Sequence, residues 1–403
     1  MKKALLATSA IIAAGVIAAP AIAAEKKAAG PIALKLGGYF TLLAVHTSQD
    51  DGAGQPGANL HDNMITREAE VSFSGSTTLD NGVSVGVDVQ LEAETCGDQV
   101  DESYIWFKGS FGQVVLGAEN GAGNKSFRGS SVPAAGFVST WTSNYRLYAP
   151  GGNAAGGPFR SDISGDAEKV TYWTPKMGGF QAGVSYTMDA GEIGSSYAGQ
   201  EADNGVATST STTVTTVTET AVAGTVLTAT DTTTTTTTQA SQQSNIWELG
   251  ATYSGNTGKD GVSYAVSAAY IKGDNEASGG TDQKVWALGA DVTFSGITIA
   301  GGYGKNNQGT TGSNTDLTDW NLGIKSSSGP WSYGISYSNF DAEAGAGLGS
   351  DERDHWIAAA SYAFGPGISL SAAIENVKLE DNLNAAANEN NATSIMLGTA
   401  LFF

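Results

Sequence analysis

From Pro31 onward, apolar residues recur at every second position, segment after segment, and almost nowhere at the 3.6-residue spacing of a helix. Val83, Val85, Val87, Val89, Leu91 and Ala93 alternate with Ser84, Gly86, Asp88, Gln90, Glu92 and Glu94, so one phase of that strand is apolar and the other wet. Ala69, Val71 and Phe73 alternate with Glu68, Glu70, Ser72 and Ser74 in the same way. Near the C-terminus Ile395, Leu397, Leu401 and Phe403 oppose Ser394, Met396, Gly398 and Ala400. Helix is therefore a minor component, and the chain reads as all-β. Alternation alone fits a two-sheet sandwich as well as a barrel.

The links between strands decide between them. Tight links, rich in the residues turns require, fall at Asp80-Asn81-Gly82, Ser110-Phe111-Gly112, Lys176-Met177-Gly178-Gly179, 255–261, Ser295-Gly296, Ser327-Ser328-Gly329-Pro330 and Gly365-Pro366-Gly367. Between them lie loose links at 46–63, 96–101, 120–165, 190–244, 274–282, 305–315, 341–354 and 381–391. Short and long take turns along the chain, so all turns sit at one end and all loops at the other. Seven tight and eight loose links predict sixteen antiparallel strands. That asymmetry is what an outer-membrane barrel requires, and in lipid every backbone group must be paired, so the sheet has to close. Closure at about sixteen strands leaves a water-filled lumen. The 54 glycines suit curved, closely approached strands, and Tyr39, Phe40, Trp247, Tyr270, Trp286, Trp331, Trp356, Phe402 and Phe403 fall near strand ends, where an interfacial girdle belongs.

The N-terminus fits an exported chain. Lys2 and Lys3 precede an apolar core that ends at Pro20, and Ala21-Ile22-Ala23 supplies the small residues a signal peptidase reads. Residues 1–23 are expected to be a cleaved signal peptide and 24–403 a single barrel domain. The formal charge of −20 argues against a nucleic-acid partner.

Several short blocks then carry a family likeness: Leu36-Gly37-Gly38-Tyr39, the run Phe107-Lys108-Gly109-Ser110-Phe111-Gly112-Gln113-Val114-Val115-Leu116-Gly117, the run Val170-Thr171-Tyr172-Trp173-Thr174-Pro175 with Gly178-Gly179-Phe180, and the terminal Phe403. Together they resemble the general bacterial porins, especially the sixteen-stranded trimeric porins of alphaproteobacteria. The resemblance implies a homotrimer in the Gram-negative outer membrane, contact with lipopolysaccharide and passive diffusion of small hydrophilic solutes and ions. It also implies a third loop folded into the lumen, and a C-terminal aromatic, Phe403, that serves as the signal for the barrel-assembly machinery. The residues support the loop independently, because 120–165 is long, poor in strand pattern and begins where the family's inward loop begins. An outward surface loop is the alternative.

Candidate pore residues follow from phase. Lys125, Arg128, Arg146 and Arg160 face only Asp162 within 120–165, so the constriction loop is expected to carry +3. The inward phase of the neighbouring strands offers Glu68, Glu70, Asp88, Glu92 and Glu94, with Lys35, Lys108 and Lys169 making the wall mixed. Opposed charges across a narrow aqueous gap set up a transverse field, and the excess of acid predicts a weak preference for cations.

The other unusual stretch is the long extracellular loop, 190–244, in which 206–240 holds 18 threonines, seven of them consecutive from Thr232 to Thr238. It reads either as a hairpin, Thr212 to Thr220 and Thr225 to Thr230 around Ala223-Gly224, that extends the adjacent strands, or as a low-complexity surface loop. No enzyme is expected, since neither H-E-x-x-H nor a Walker-type P-loop occurs. No cofactor and no metal site are expected, beyond nonspecific Ca²⁺ at acidic loop pairs such as Asp50-Asp51 and Asp351-Glu352. Cys96 stands alone and reads as an unpaired thiol. The rivals to a general diffusion porin are a substrate-specific outer-membrane channel and a non-conducting adhesin or other surface β-protein.

Overall fold

The computed structural model describes residues 30–55, 57–58, 60–93, 100–131, 163–190, 209–220, 226–237, 243–258, 261–276, 280–309, 316–343, 349–381 and 389–403. The expected signal peptide, Glu94, Cys96, Arg146, Arg160 and Asp162 lie outside them. The strands are β1 (Ala33–Ser48), β2 (Asn63–Thr78), β3 (Ser84–Glu92), β4 (Ser103–Gly109), β5 (Gly112–Ala118), β6 (Glu168–Trp173), β7 (Phe180–Asp189), β8 (Ser209–Thr220) and β9 (Val226–Thr237). They continue as β10 (Gln243–Asn256), β11 (Ser263–Asn275), β12 (Gln283–Phe294), β13 (Ile297–Asn306), β14 (Leu317–Ser328), β15 (Trp331–Glu343), β16 (Ser350–Gly365), β17 (Ile368–Glu380) and β18 (Asn390–Phe402). One short helix, α1 (Ala122–Ser126), follows β5.

Sixteen of these strands, all but β8 and β9, close into one antiparallel barrel. Each pairs with its chain neighbour, β7 pairs with β10, and β1 pairs with β18 from Tyr39↔Phe402 to Ser48↔Thr393. The tight and loose links alternate as the sequence predicts, so turns and long links gather at opposite ends. The link Ser295-Gly296 illustrates the local cause. Both residues take positive φ, 47° and 77°, the geometry whose twist matches that of the two flanking strands.

The strand register separates two faces. On the outer one Leu249, Leu288, Leu322, Ile335, Ile395 and Leu397 stand exposed in mid-strand, where a soluble protein would bury them. Aromatic residues flank this skin. Toward the long links, Tyr186 meets Trp247 with ring centroids 4.7 Å apart, Trp286 meets Tyr303 at 5.4 Å and Trp320 meets Tyr337 at 5.1 Å. Toward the turns, Trp331 meets Tyr362 at 4.8 Å. Tyr39 and Phe402 do not belong to these belts. Their register places them in the inner phase, and the Tyr39 hydroxyl donates to Glu68 Oε1 at 3.2 Å.

The inner phase is mostly polar or small. One sector departs from this, where Leu43, Val45, Ile357, Ala359, Ala373 and Met396 cluster, buried, on β1 and β16–β18. The strands β8 and β9 pair with each other from Ser209↔Thr237 to Thr220↔Val226 and form a separate two-stranded sheet. The threonine-rich segment is thus a hairpin, with its second strand running through most of the seven-threonine run. It does not continue β7 or β10.

The two faces predict opposite tolerance to charge. Leu288→Arg, on the outer skin, is expected to cost about 2–4 kcal/mol in urea-unfolding measurements of the barrel refolded in lipid vesicles. Ser72→Arg, in the inner phase of β2, is expected to stay within about 1 kcal/mol of the parent in the same measurement.

Candidate functional site

The link after β5 turns inward and runs along the inner wall. Glu119 follows β5, α1 packs on β10 and β11, and Phe127–Ser131 continues across β11 to β15. The wall is shaped for it. Successive strands present Gly250, Ser267, Gly289, Gly302, Gly323 and Ser336 in the inner phase, a band of small residues in which backbone lies on backbone. A Cβ on Gly250 would overlap the Ala122 carbonyl and Ser126 Oγ, and one on Gly289 would overlap the Arg128 carbonyl. No larger residue fits at either position with the link in place.

Polar side chains of the wall satisfy the backbone of the link. The Ala122 N–H donates to Ser185 Oγ at 2.8 Å, Gly123 N–H to Glu248 Oε2 at 3.0 Å, Arg128 N–H to Ser267 Oγ at 3.1 Å and Ser130 N–H to Asn321 Oδ1 at 2.8 Å. Glu248, fully buried, also accepts from Ser164 Oγ at 2.6 Å, so one carboxylate holds both ends of the link. Lys169 has a related task. Its buried ammonium donates to the Gly165 and Ala167 carbonyls at 2.7 and 2.8 Å and to the Glu119 carbonyl. The register puts Lys169 in the inner phase, but its ammonium is buried against carbonyls at the base of the link and is not exposed on the wall.

The two described cations of the link are held by carboxylates. Lys125 pairs with Glu119, and Arg128 Nη1 donates to Asp291 Oδ2 on β12 at 2.6 Å. The Lys125 ammonium also lies 5.8 Å from the centroid of the Tyr104 ring. Burial raises the Glu119 carboxyl above the ordinary carboxylate range, and Lys125 opposes that shift without cancelling it. The +3 read from the link alone is therefore offset, in its described part, by Glu119 just outside it and Asp291 far along the chain.

Across the lumen, β2–β4 carry the acids. Glu68, Glu70, Asp88 and Glu92 all fall in the inner phase, joined by Glu102 ahead of β4. Asp88 accepts from Trp106 Nε1 at 2.8 Å, and Glu102 accepts from Gln90 Nε2 at 2.6 Å and Asn120 Nδ2 at 2.8 Å. These donors are neutral, so they orient the carboxylates and leave their charge in place. Lys35 and Lys108 are exposed in the inner phase near the turn end. Phe403 seals the seam, its N–H donating to the Gly38 carbonyl at 3.1 Å and its carbonyl accepting from Gly38 N–H at 3.0 Å.

Glu102, Glu119, Glu248, Asp291 and Lys325 also shape this site. The last three occupy the polar or small phase of alternating strands, a signal of inward placement that sequence can carry. Their partners are another matter, since 163 residues separate Arg128 from Asp291.

A closed barrel of this strand number, with a polar inner phase and an inward link after β5, has known counterparts. A family model described as Gram-negative porin matches residues 7–382. The chain belongs to the Gram-negative porin family. An anion-selective porin from Comamonas acidovorans shares the fold with a TM-score of 0.59, at 14% identity over 93% of this chain and 100% of that one. A Salmonella typhi OmpF, solved in complex with daunomycin, aligns with a TM-score of 0.55 at 15% identity over 92% of this chain and 97% of that one. In sequence, an uncharacterised protein of Rickettsia bellii is 30% identical over 162 residues, which span 34% of this chain and 37% of that protein. The protein is an outer-membrane porin, a channel whose lining is the inner phase described above.

The double hold of Glu248 gives a test. Glu248→Ala removes charge-assisted bonds to Gly123 and Ser164, expected at about 1.5–3 kcal/mol each. The variant should lose roughly 3 kcal/mol in urea unfolding and be cleaved faster within the link between β5 and β6 in limited proteolysis.

Proposed function

We propose that this porin is a general diffusion channel, a homotrimer that passes small hydrophilic solutes and ions without a covalent step. The observation that carries the reading is the anchoring of 119–131 along the inner wall, opposite the acids of β2–β4. A link held there narrows the lumen; Arg146, Arg160 and Asp162, the other charges expected of the constriction loop, lie outside the described residues. Solutes are sieved by the remaining gap and by its charges. Phe403 is the assembly signal, and residues 1–23 are the signal peptide that directs export and is then cleaved.

The ion preference is weakly cationic. Lys125 and Arg128 are each matched by a carboxylate, while Asp88 and Glu102 are held by neutral donors and keep their field. Single-channel recording of the purified protein tests the reading as a whole. Conductance steps should come in groups of three, and the reversal potential in a KCl gradient should favour K⁺ modestly. Deleting 206–240 should leave conductance intact, whereas a surface protein without a pore would give no steps at all.

Acidification should erode the preference. Because the folded-state value of Glu119 lies above its unfolded one, its ionised form opposes folding at neutral pH, and protonation relieves that cost. As pH falls toward the ordinary carboxylate range, Glu119 takes up its proton before exposed acids do and leaves the Lys125 charge unmatched. The K⁺ over Cl⁻ ratio should drop across that interval, and Glu119→Gln should show the lowered ratio already at neutral pH with a flatter titration.

A further inference from the structure

We infer that the lumen holds a discrete binding subsite for a small oxyanion, carboxylate or phosphate, beneath the inward link at the turn end of the channel; this rests on the channel reading above. A cavity of about 370 Å³ lies between the link and the wall, lined by Arg128 and Ser131 from the link, Asp291 and Thr293 from β12, Thr298 from β13 and Lys325 from β14. Asp291 and Lys325 stand a few residues from the tight links that end β12 and β14, which places the cavity toward the periplasmic mouth.

Its chemistry is that of an anion site. Arg128 and Lys325 supply two cations, and Asp291 neutralises only the first. Among the described residues Lys325 meets no carboxylate, and its Nζ donates to the neutral Ser131 Oγ at 3.1 Å. An ammonium has three donors, so at least two remain for another acceptor. Thr293 Oγ1 and Thr298 Oγ1 lie 2.8 Å apart and share one hydrogen bond, which leaves the second hydroxyl free to donate. The cavity thus combines a net positive charge with fixed donors inside a chain of formal charge −20. An oxyanion entering it meets Lys325, the open edge of the Arg128 guanidinium and a threonine hydroxyl together, whereas a cation meets a matched Asp291 and a free ammonium. The −20 total acts as a diffuse field, while these donors act at contact distance, so a local anion site and an overall cation preference coexist.

The test is current block in planar bilayers, with succinate or inorganic phosphate added to one side of wild-type channels in KCl. Either anion should block in a saturable way, more strongly from the periplasmic side, and the lower half-blocking concentration names carboxylate or phosphate as the preferred group. Lys325→Gln should raise that concentration about tenfold, the loss of one charge-assisted contact, and Lys325→Arg should largely restore it. Lys35→Gln removes the same charge from the inner phase at the same end but outside the cavity, and should change the block less than about twofold. Equal effects of Lys325→Gln and Lys35→Gln, or no saturable block in channels that conduct, would overturn the subsite. Wild-type protein that does not conduct would instead refute the channel reading on which it rests.

Discussion

The structure depends on one constraint, that no backbone N–H or C=O can be left unpaired in hydrocarbon. An open sheet of sixteen strands would carry two bare edges, so the first strand must find the last. It does so along Tyr39–Ser48 of β1, and the chain end is drawn into the seam by the paired bonds between Phe403 and Gly38. Once closure is imposed, the two-residue period has only one arrangement: apolar side chains out, small and polar ones in. The apolar skin is thus a consequence of the backbone requirement, and the wet interior is a consequence of the skin.

A lumen that wide would pass solutes indiscriminately, and the described part of the link after β5 occupies it by the same backbone logic. Residues 122–131 bring their own N–H groups inside, and each needs an acceptor. Ser185, Glu248, Ser267 and Asn321 supply those of Ala122, Gly123, Arg128 and Ser130, while the glycines between let the link lie flat on the wall. Large side chains in the small-residue band would hold the link off at arm's length and leave its amides to water. The buried Glu248 and Lys169 then clamp the two ends of the link, one by accepting and the other by donating.

Strand number, strand polarity and the inward phase of Lys35, Glu68, Glu70, Asp88, Glu92, Lys108 and Lys169 were legible because a period of two and the lengths of links are local properties. What was not legible depends on pairing across the barrel. Tyr39 reads as a girdle residue from its place near a strand end, and only the register with β2 and β18 turns it inward. Lys169 reads as a wall charge, and only the return of the link to its own base shows the carbonyls that occupy it. Arg128 reads as an unmatched cation until β12 is folded round to bring Asp291 beside it. The pairing of β8 with β9 was legible as one of the two readings the threonines allow, but strand propensity does not say whether such a hairpin extends its neighbours, and it forms a sheet of its own apart from β7 and β10.

These cross-barrel partners change how the charge of the pore is to be reckoned. Summing formal charges along the constriction link gives a basic eyelet facing an acidic wall. Among the described residues geometry sets apart two classes: Lys125 and Arg128, cations cancelled by carboxylates at contact distance, and Asp88 and Glu102, carboxylates held by tryptophan, glutamine and asparagine donors that leave their charge uncancelled. A pair whose members touch has a dipolar field that falls off within a few ångströms, whereas a carboxylate held by a neutral donor projects across the lumen, unscreened until the Debye length of about 8 Å at physiological salt. Selectivity is therefore set less by how many charged residues line the channel than by which of them have been given an opposite charge to hold, and Lys325, left with only a serine hydroxyl, is the cation for which that distinction matters most.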